Sequence, residues 1–118
     1  MAGNVLVDKS LLFAGRIVRL YRDLTENKRE FILSKQIVRS GTSIGANINE
    51  ANYGQSKADF TSKMQIALKE TAETEYWLKL LHISGIIDDD LFGSYINDCL
   101  EIKRLLISTV NTSKSNQE

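Results

Sequence analysis

The sequence has no proline, a single cysteine, no net charge and no long hydrophobic run. Because proline breaks helices and marks tight turns, a chain of 118 residues without one is free to form long helices. One cysteine cannot form an internal disulfide, and no apolar segment reaches the length of a signal peptide or a membrane span. These features predict an all-α protein of the cytoplasm with no membrane partner.

The charges of the chain balance, with fifteen basic and fifteen acidic residues. No whole-molecule field therefore draws the protein towards nucleic acid, a membrane or an acidic substrate, and any such binding must come from a local patch. A composition of 42% hydrophobic and 25% charged residues is ordinary for a globular domain of this length. The bulk numbers therefore predict a packed domain and leave its partner open.

Apolar residues recur at helical spacing in four segments. They predict helices at about residues 9–25, 28–53, 57–84 and 89–110, followed by a disordered polar tail at 111–118. Because the connections are short, consecutive helices are expected to alternate in direction. Residues 1–110 are therefore predicted to form one domain, an antiparallel up-and-down four-helix bundle.

Capping signals predict where each helix begins. Asp8, Ser56 and Asp88 are polar residues placed immediately before an apolar helical stripe, as N-caps are. Asn27 is followed three residues later by Glu30, which has the spacing of a capping box. These four positions set the predicted helix starts.

The segment RSGTSIGANINEA, residues 39–51, has two readings. A phosphate-binding P-loop needs a lysine and a hydroxyl residue after its last glycine, whereas Ala46 and Asn47 follow Gly45 here. A helix is favoured by a stripe with four- and three-residue steps: Ile37, Gly41, Ile44, Ile48 and Ala51. Each glycine inside a helix costs about 0.5 to 1 kcal/mol relative to alanine, and close approach of a neighbouring helix offsets that cost. We interpret the segment as a packing helix.

A polar stripe lies beside this apolar row on the same helix. Its members, Arg39, Ser43, Asn47 and Glu50, recur at helical spacing. The structural interpretation is a solvated face or an internal polar network, and the functional one is a binding site or a seam between subunits. Both interpretations stay open at this stage.

A basic row lies on the first helix, where Arg16, Arg19 and Arg22 are spaced by three. Such a row, with Arg39, is a candidate contact for the phosphates of RNA or DNA, which would bind in a salt-sensitive and sequence-tolerant way. Arginines on an exposed helix face are also commonly just solvated. The pattern gives a nucleic-acid hypothesis and no more.

The residue sets of common catalytic and metal sites are missing from the sequence. A di-iron bundle needs two Glu-x-x-His pairs, but His82 is the only histidine and Lys79 stands three residues before it. Cys99 lies on the predicted apolar stripe of the fourth helix, where a buried, unreactive thiol is expected. We therefore predict no enzyme activity, no cofactor, no metal and no small-molecule substrate.

Two stretches, IVRSGTSIGANINEA and ADFTSKMQIALKETAETEYWLKLL, resemble the bacterial four-helix bundle proteins encoded in intervening sequences of 23S ribosomal RNA genes. The resemblance spans about residues 10–106. It implies a left-handed up-and-down bundle, assembly into homopentameric rings and no enzymatic activity. It is carried by these residues: Arg39, Ser43, Ile44, Asn47, Ile48, Glu50, Phe60, Ala67, Glu73 and Leu78. Glu73 thereby joins the polar stripe as a candidate interface residue.

The leading hypothesis is a non-enzymatic, self-assembling bundle, a homopentameric scaffold or interaction module. The alternative, from a different class, is an accessory protein that binds RNA or DNA through a basic face of the oligomer.

Overall fold

A computed structural model describes residues 2–117 of the chain and the side chains of residues 5–116. Four α-helices make up almost all of it: α1 Ala2–Arg22, α2 Leu33–Ala51, α3 Lys57–Ile83 and α4 Asp89–Gln117. A π-helical turn, Asp23–Asn27, extends the end of α1. No β-strand occurs within the described residues. The all-α prediction is confirmed.

The four helices enclose one apolar interior. Each helix packs against the next along the chain, and α1 also packs against α4. Within residues 2–117 no helix is both long enough and apolar enough to cross a lipid bilayer. The largest fully buried side chains come from all four helices: Leu6, Phe13, Ile17, Leu24, Ile37, Ile44, Ile48, Met64, Leu78, Leu81, Ile102 and Leu106.

The segment 39–51 is helical throughout, which excludes the phosphate-loop reading. A Cβ atom added at Gly41 would lie 2.8 Å from Ile17 Cγ2, and one added at Gly45 would lie 3.1 Å from Ser10 Oγ. The small residues of α2 thus let α1 approach closely, and the packing interpretation is confirmed.

Helix α1 begins at Ala2, seven residues before the predicted start. Leu6 is fully buried and extends the core row of Ser10 and Phe13 by one turn, so burial holds the extra residues in the helix. Asp8 consequently lies inside α1 and is not its N-cap.

Helix α2 begins five residues later than predicted, because the chain first completes the π-helical turn and then reverses at Arg29, which has a positive φ of 57°. The Asn27 amide does not cap α2 and instead donates to Asp23 at 2.7 Å. Glu30 caps the helix alone. Its carboxylate accepts hydrogen bonds from three backbone N–H groups: Ile32 at 3.2 Å, Leu33 at 3.1 Å and Ser34 at 2.7 Å.

This cap makes the stability of the fold depend on pH. Burial opposes ionisation of Glu30, but the backbone N–H donors outweigh it and hold the pKa of the carboxyl below its ordinary value of 4.5. A depressed folded pKa contributes stability that is fully present above pH 4.5 and is lost as the pH falls through the folded value. We expect Glu30→Gln to lower the free energy of unfolding by about 1 kcal/mol at neutral pH. Urea denaturation at pH 7 and pH 3 should show this difference shrinking in acid.

Glu26→Gln is the matched control, because Glu26 is an exposed glutamate on the preceding π-helical turn and lies outside the cap. It is expected to leave the free energy of unfolding nearly unchanged at both pH values. An equal loss for Glu30→Gln at pH 7 and pH 3 would show that the carboxylate charge does not act as a cap.

Helix α4 continues to Gln117, so the prediction of a disordered tail is wrong for residues 111–117, and residue 118 lies outside the described part. Val110 is buried, and the hydroxyl of Ser113 forms a hydrogen bond with the hydroxyl of Thr61 on α3. The polar run contains no proline or glycine to stop the helix. Polar packing against α3 therefore continues where the apolar stripe ends.

Candidate functional site

The outer side of the seam between α1 and α2 has no charged side chain along its middle. Residues 10–15 and 40–49, which face each other there, contain no acidic or basic residue. Leu11 stands at this seam and is 70% exposed. We call the hollow here, of about 350 Å³, the α1–α2 groove; its lining is Val7, Ser10, Leu11, Ala14, Thr42, Gly45, Ala46 and Asn49.

The other three seams are crossed by ion pairs. Lys9 meets Glu101 at 3.1 Å between α1 and α4, and Lys103 meets Glu75 at 2.8 Å between α3 and α4. Between α2 and α3, Arg39 meets Glu70 at 2.9 Å. Among the side chains of residues 5–116, no ion pair crosses the α1–α2 seam. Covering this seam with another surface therefore removes no ion pair from water, so the desolvation cost is lower than at the other three seams.

Arg39 links α2 to α3. Its guanidinium donates to Glu70 at 2.9 Å and to Glu73. The hydrogen bond with Glu73 raises the pKa of Arg39, and the same bond lowers the pKa of Glu73. Glu70 is almost fully buried, so this arginine compensates a carboxylate that water scarcely reaches.

The remaining members of the predicted polar stripe do not join this cluster through their side chains. The Ser43 hydroxyl donates to the Arg39 carbonyl at 2.6 Å, and the Asn47 amide donates to the Ser43 carbonyl at 2.8 Å. Glu50 lies 3.3 Å from Lys63 on α3. The structure thus brings Arg39 and Glu73 together, leaves Ser43 and Asn47 in contacts within α2, and pairs Glu50 with α3 separately. A role of the stripe in a subunit interface stays a prediction.

Two contacts at the α2–α3 seam were not predicted. Glu70 accepts from Arg39, and the Thr74 hydroxyl donates to the Ser40 hydroxyl at 2.9 Å inside the core. The sequence spacing could have indicated the first contact. Glu70 lies one turn before Glu73, so both carboxylates lie on one side of α3.

The four arginines predicted to contact nucleic acid fall into two pairs. Arg16 donates to Ser94 Oγ at 2.6 Å, pairs with Asp98 and lies 4.2 Å above the Tyr95 ring, so it is committed to α4. Arg39 is committed to α3. Arg19 and Arg22 are exposed and form no ion pair within the described residues.

The two residues considered for catalysis have other roles. Burial raises the pKa of the Cys99 thiol to about 12, so at neutral pH it is protonated rather than nucleophilic. His82 Nε2 lies 2.7 Å from Asp89 Oδ1, and its ring stacks on Phe92, which fastens the turn between α3 and α4. Among the described side chains, no three of His, Cys, Asp and Glu gather closely enough to hold a metal ion.

Comparison with known proteins agrees with this architecture. A crystal structure of a protein with unknown function from the S23 ribosomal protein family of Bacteroides thetaiotaomicron VPI-5482 is 56% identical, covers 94% of this chain and 99% of that chain, and has a TM-score of 0.93. No curated protein matches the chain. The family model described as 23S rRNA-intervening sequence protein matches residues 4–108. The chain therefore belongs to the 23S rRNA-intervening sequence protein family.

Proposed function

We propose that this chain is a non-enzymatic helical bundle of the cytoplasm that assembles with copies of itself and acts as a scaffold or interaction module. The observation that carries the proposal is the α1–α2 groove. It combines an exposed leucine with small, uncharged neighbours, while every other seam is crossed by an ion pair. An uncharged groove of this kind associates without desolvating charges.

The dimensions of the bundle favour association through a side rather than an end. The extents are 48 × 21 × 20 Å. A side therefore offers roughly 1,000 Å² and an end about 400 Å², against about 800 Å² per partner in a stable interface. The α1–α2 groove runs along a side.

In the proposed assembly each subunit is an antiparallel, up-and-down, left-handed bundle, and five subunits close a ring. Two ion pairs between α1 and α4 support opposite directions for these helices. Lys9 pairs with Glu101, and Arg16, further along α1, pairs with Asp98, which comes earlier in α4. The ring size and the handedness rest on the family resemblance. In a ring the interface joins two different surfaces, so the α1–α2 groove supplies one of them.

Native mass spectrometry at micromolar protein concentration tests the proposal. The expected result is a single species at five times the chain mass of 13.3 kDa. A spectrum that contains monomer alone would overturn self-assembly.

Nucleic-acid binding is the second candidate function, and the exposure of Arg19 and Arg22 favours it. We expect Arg19→Ala with Arg22→Ala to weaken binding of a fluorescent RNA oligonucleotide, measured by anisotropy at low salt, and to reduce the salt dependence of that binding. Arg16→Ala with Arg39→Ala is the control, because those guanidinium groups are already paired. Equal binding by wild type and the Arg19/Arg22 variant would remove this surface as a nucleic-acid site.

A further inference from the structure

An open hollow of about 630 Å³ lies at the end of the bundle where α1 turns into α2 and α3 turns into α4. Its floor contains Ile32, which is 75% exposed, and Ile83, the last residue of α3, is 79% exposed at the same end. Phe31 adds a half-exposed ring. We call this the end hollow; its lining is Lys28, Arg29, Glu30, Phe31, Ile32, Gly85 and Ile86.

The charge at the rim of the end hollow is positive. Lys28 and Arg29 are exposed and form no ion pair within the described residues. The Arg29 guanidinium lies 5.2 Å above the Phe31 ring, which places a cation directly over the apolar floor. The Glu30 carboxylate also lines the end hollow and keeps its charge while it accepts from the backbone N–H groups at the start of α2, so the lining carries two cations and one anion.

Apart from Glu30, the acidic residues at this end lie outside the lining, on the π-helical turn (Asp23 and Glu26) and at the start of α4. Asp88 accepts from the Leu91 N–H at 2.8 Å as the cap of α4, and Asp89 pairs with His82. Asp90 is exposed on the first turn of the same helix. The end hollow thus keeps two unpaired cations beside exposed aliphatic and aromatic side chains.

We infer that the end hollow binds a short acidic peptide segment of another protein, with apolar side chains on the floor and carboxylates paired to Lys28 and Arg29. Complementary charge supplies orientation, and burial of Phe31 and Ile32 supplies affinity. The end of the bundle, at about 400 Å², is too small for a stable contact with a folded domain or a second copy, and a hollow of this volume suits a segment of a few residues. This inference is independent of self-assembly through the α1–α2 groove.

A single-stranded RNA also carries negative charge and stacks on aromatic rings, but it gains little from exposed isoleucines. The aliphatic part of the floor therefore favours a peptide. Three fluorescein-labelled probes separate the two: a short peptide alternating glutamate and leucine, the same peptide with lysine replacing glutamate, and an oligouridylate RNA. Binding of each is followed by fluorescence anisotropy at low salt.

The expected result is saturable binding of the glutamate peptide alone. Lys28→Gln with Arg29→Asn should weaken it about fivefold or more, since asparagine accepts the positive φ at that position and only the charges are lost. Ile32→Asp should abolish it. Lys57→Gln with Lys69→Gln, a pair of exposed lysines on α3 outside the end hollow, is the matched control and should bind like wild type.

Four outcomes would overturn the inference. They are no binding of the glutamate peptide, equal binding of the lysine peptide, binding of the RNA in place of the peptide, and an equal loss in the control pair. Native mass spectrometry of the Ile32→Asp variant tests whether a second copy of the chain occupies the end hollow. A change in subunit number would assign the end hollow to a second copy and would also overturn the inference.

Discussion

Replacing Gly41 with valine is expected to lower the free energy of unfolding by about 3 kcal/mol. A Cβ at this position would lie 2.8 Å from Ile17 Cγ2 and 2.9 Å from Ile17 Cγ1, closer than non-bonded carbon atoms approach. Ile17 is fully buried and β-branched, so its side chain has few other rotamers to adopt. Helix α1 must therefore move outwards, and the contacts along the α1–α2 seam are lost. Urea denaturation at a fixed protein concentration measures the change.

Alanine substitutions at two glycines should change the free energy of unfolding in opposite directions. Gly93 is helical in α4, and nothing lies within 4 Å of a Cβ built on it. Gly93→Ala should raise the free energy of unfolding by about 0.5 to 1 kcal/mol, because alanine reduces the conformational freedom of the unfolded chain. Gly41→Ala should lower it. If both alanine variants were stabilised, the close approach at Gly41 would be excluded.

The sequence predicts the number of helices and the close packing of α2 because both follow from local periodicity. Apolar residues at steps of three and four identify the buried face of each helix, and a glycine on that face indicates a near neighbour. Gly41 satisfies both conditions, and the structure places it against Ile17. Such features need no knowledge of what lies across the seam.

Helix starts were predicted with mixed success, for a local reason. Ser56 and Asp88 are N-caps, as predicted: Ser56 accepts from the Asp59 N–H and Asp88 from the Leu91 N–H. A turn that contains glycine precedes each of them. Asp8 has the same residue type but no turn before it, and burial of Leu6 carries the helix past it. Glu30 reaches the α2 N–H groups itself, which the shorter Asn27 side chain does not do.

The candidate site was harder to predict because its contacts join different helices. Arg16 belongs to the basic row of α1 and Arg39 to the polar stripe of α2. Spacing along one helix does not reveal which carboxylates face each arginine from the next helix. The structure supplies Asp98 and Glu70, which are 82 and 31 residues away in the chain. Likewise, the absence of charge at 10–15 and 40–49 is visible in the sequence, but only the fold places the two stretches side by side.

Leu11→Asp is expected to convert the proposed oligomer to monomer, raising its dissociation constant roughly 100-fold or more. In the monomer the substitution costs little, because Leu11 is 70% exposed and the new carboxylate is hydrated. In the assembly the carboxylate would lie in the α1–α2 groove, where no basic residue is present to pair with it. The loss should therefore appear in the mass of the assembly and not in the helix content measured by circular dichroism.

Leu12→Asp is a closely matched control for that variant. Leu12 is the next residue, has the same side chain and is 71% exposed, but it faces the α1–α4 side beside Lys9. A carboxylate there lies outside the α1–α2 groove and stays in water, so the assembly should keep its mass. Native mass spectrometry and light scattering at several concentrations distinguish the two variants. If Leu11→Asp leaves the assembly intact, the interface does not depend on the α1–α2 groove. If both variants dissociate, the α1–α4 side also contributes to the interface.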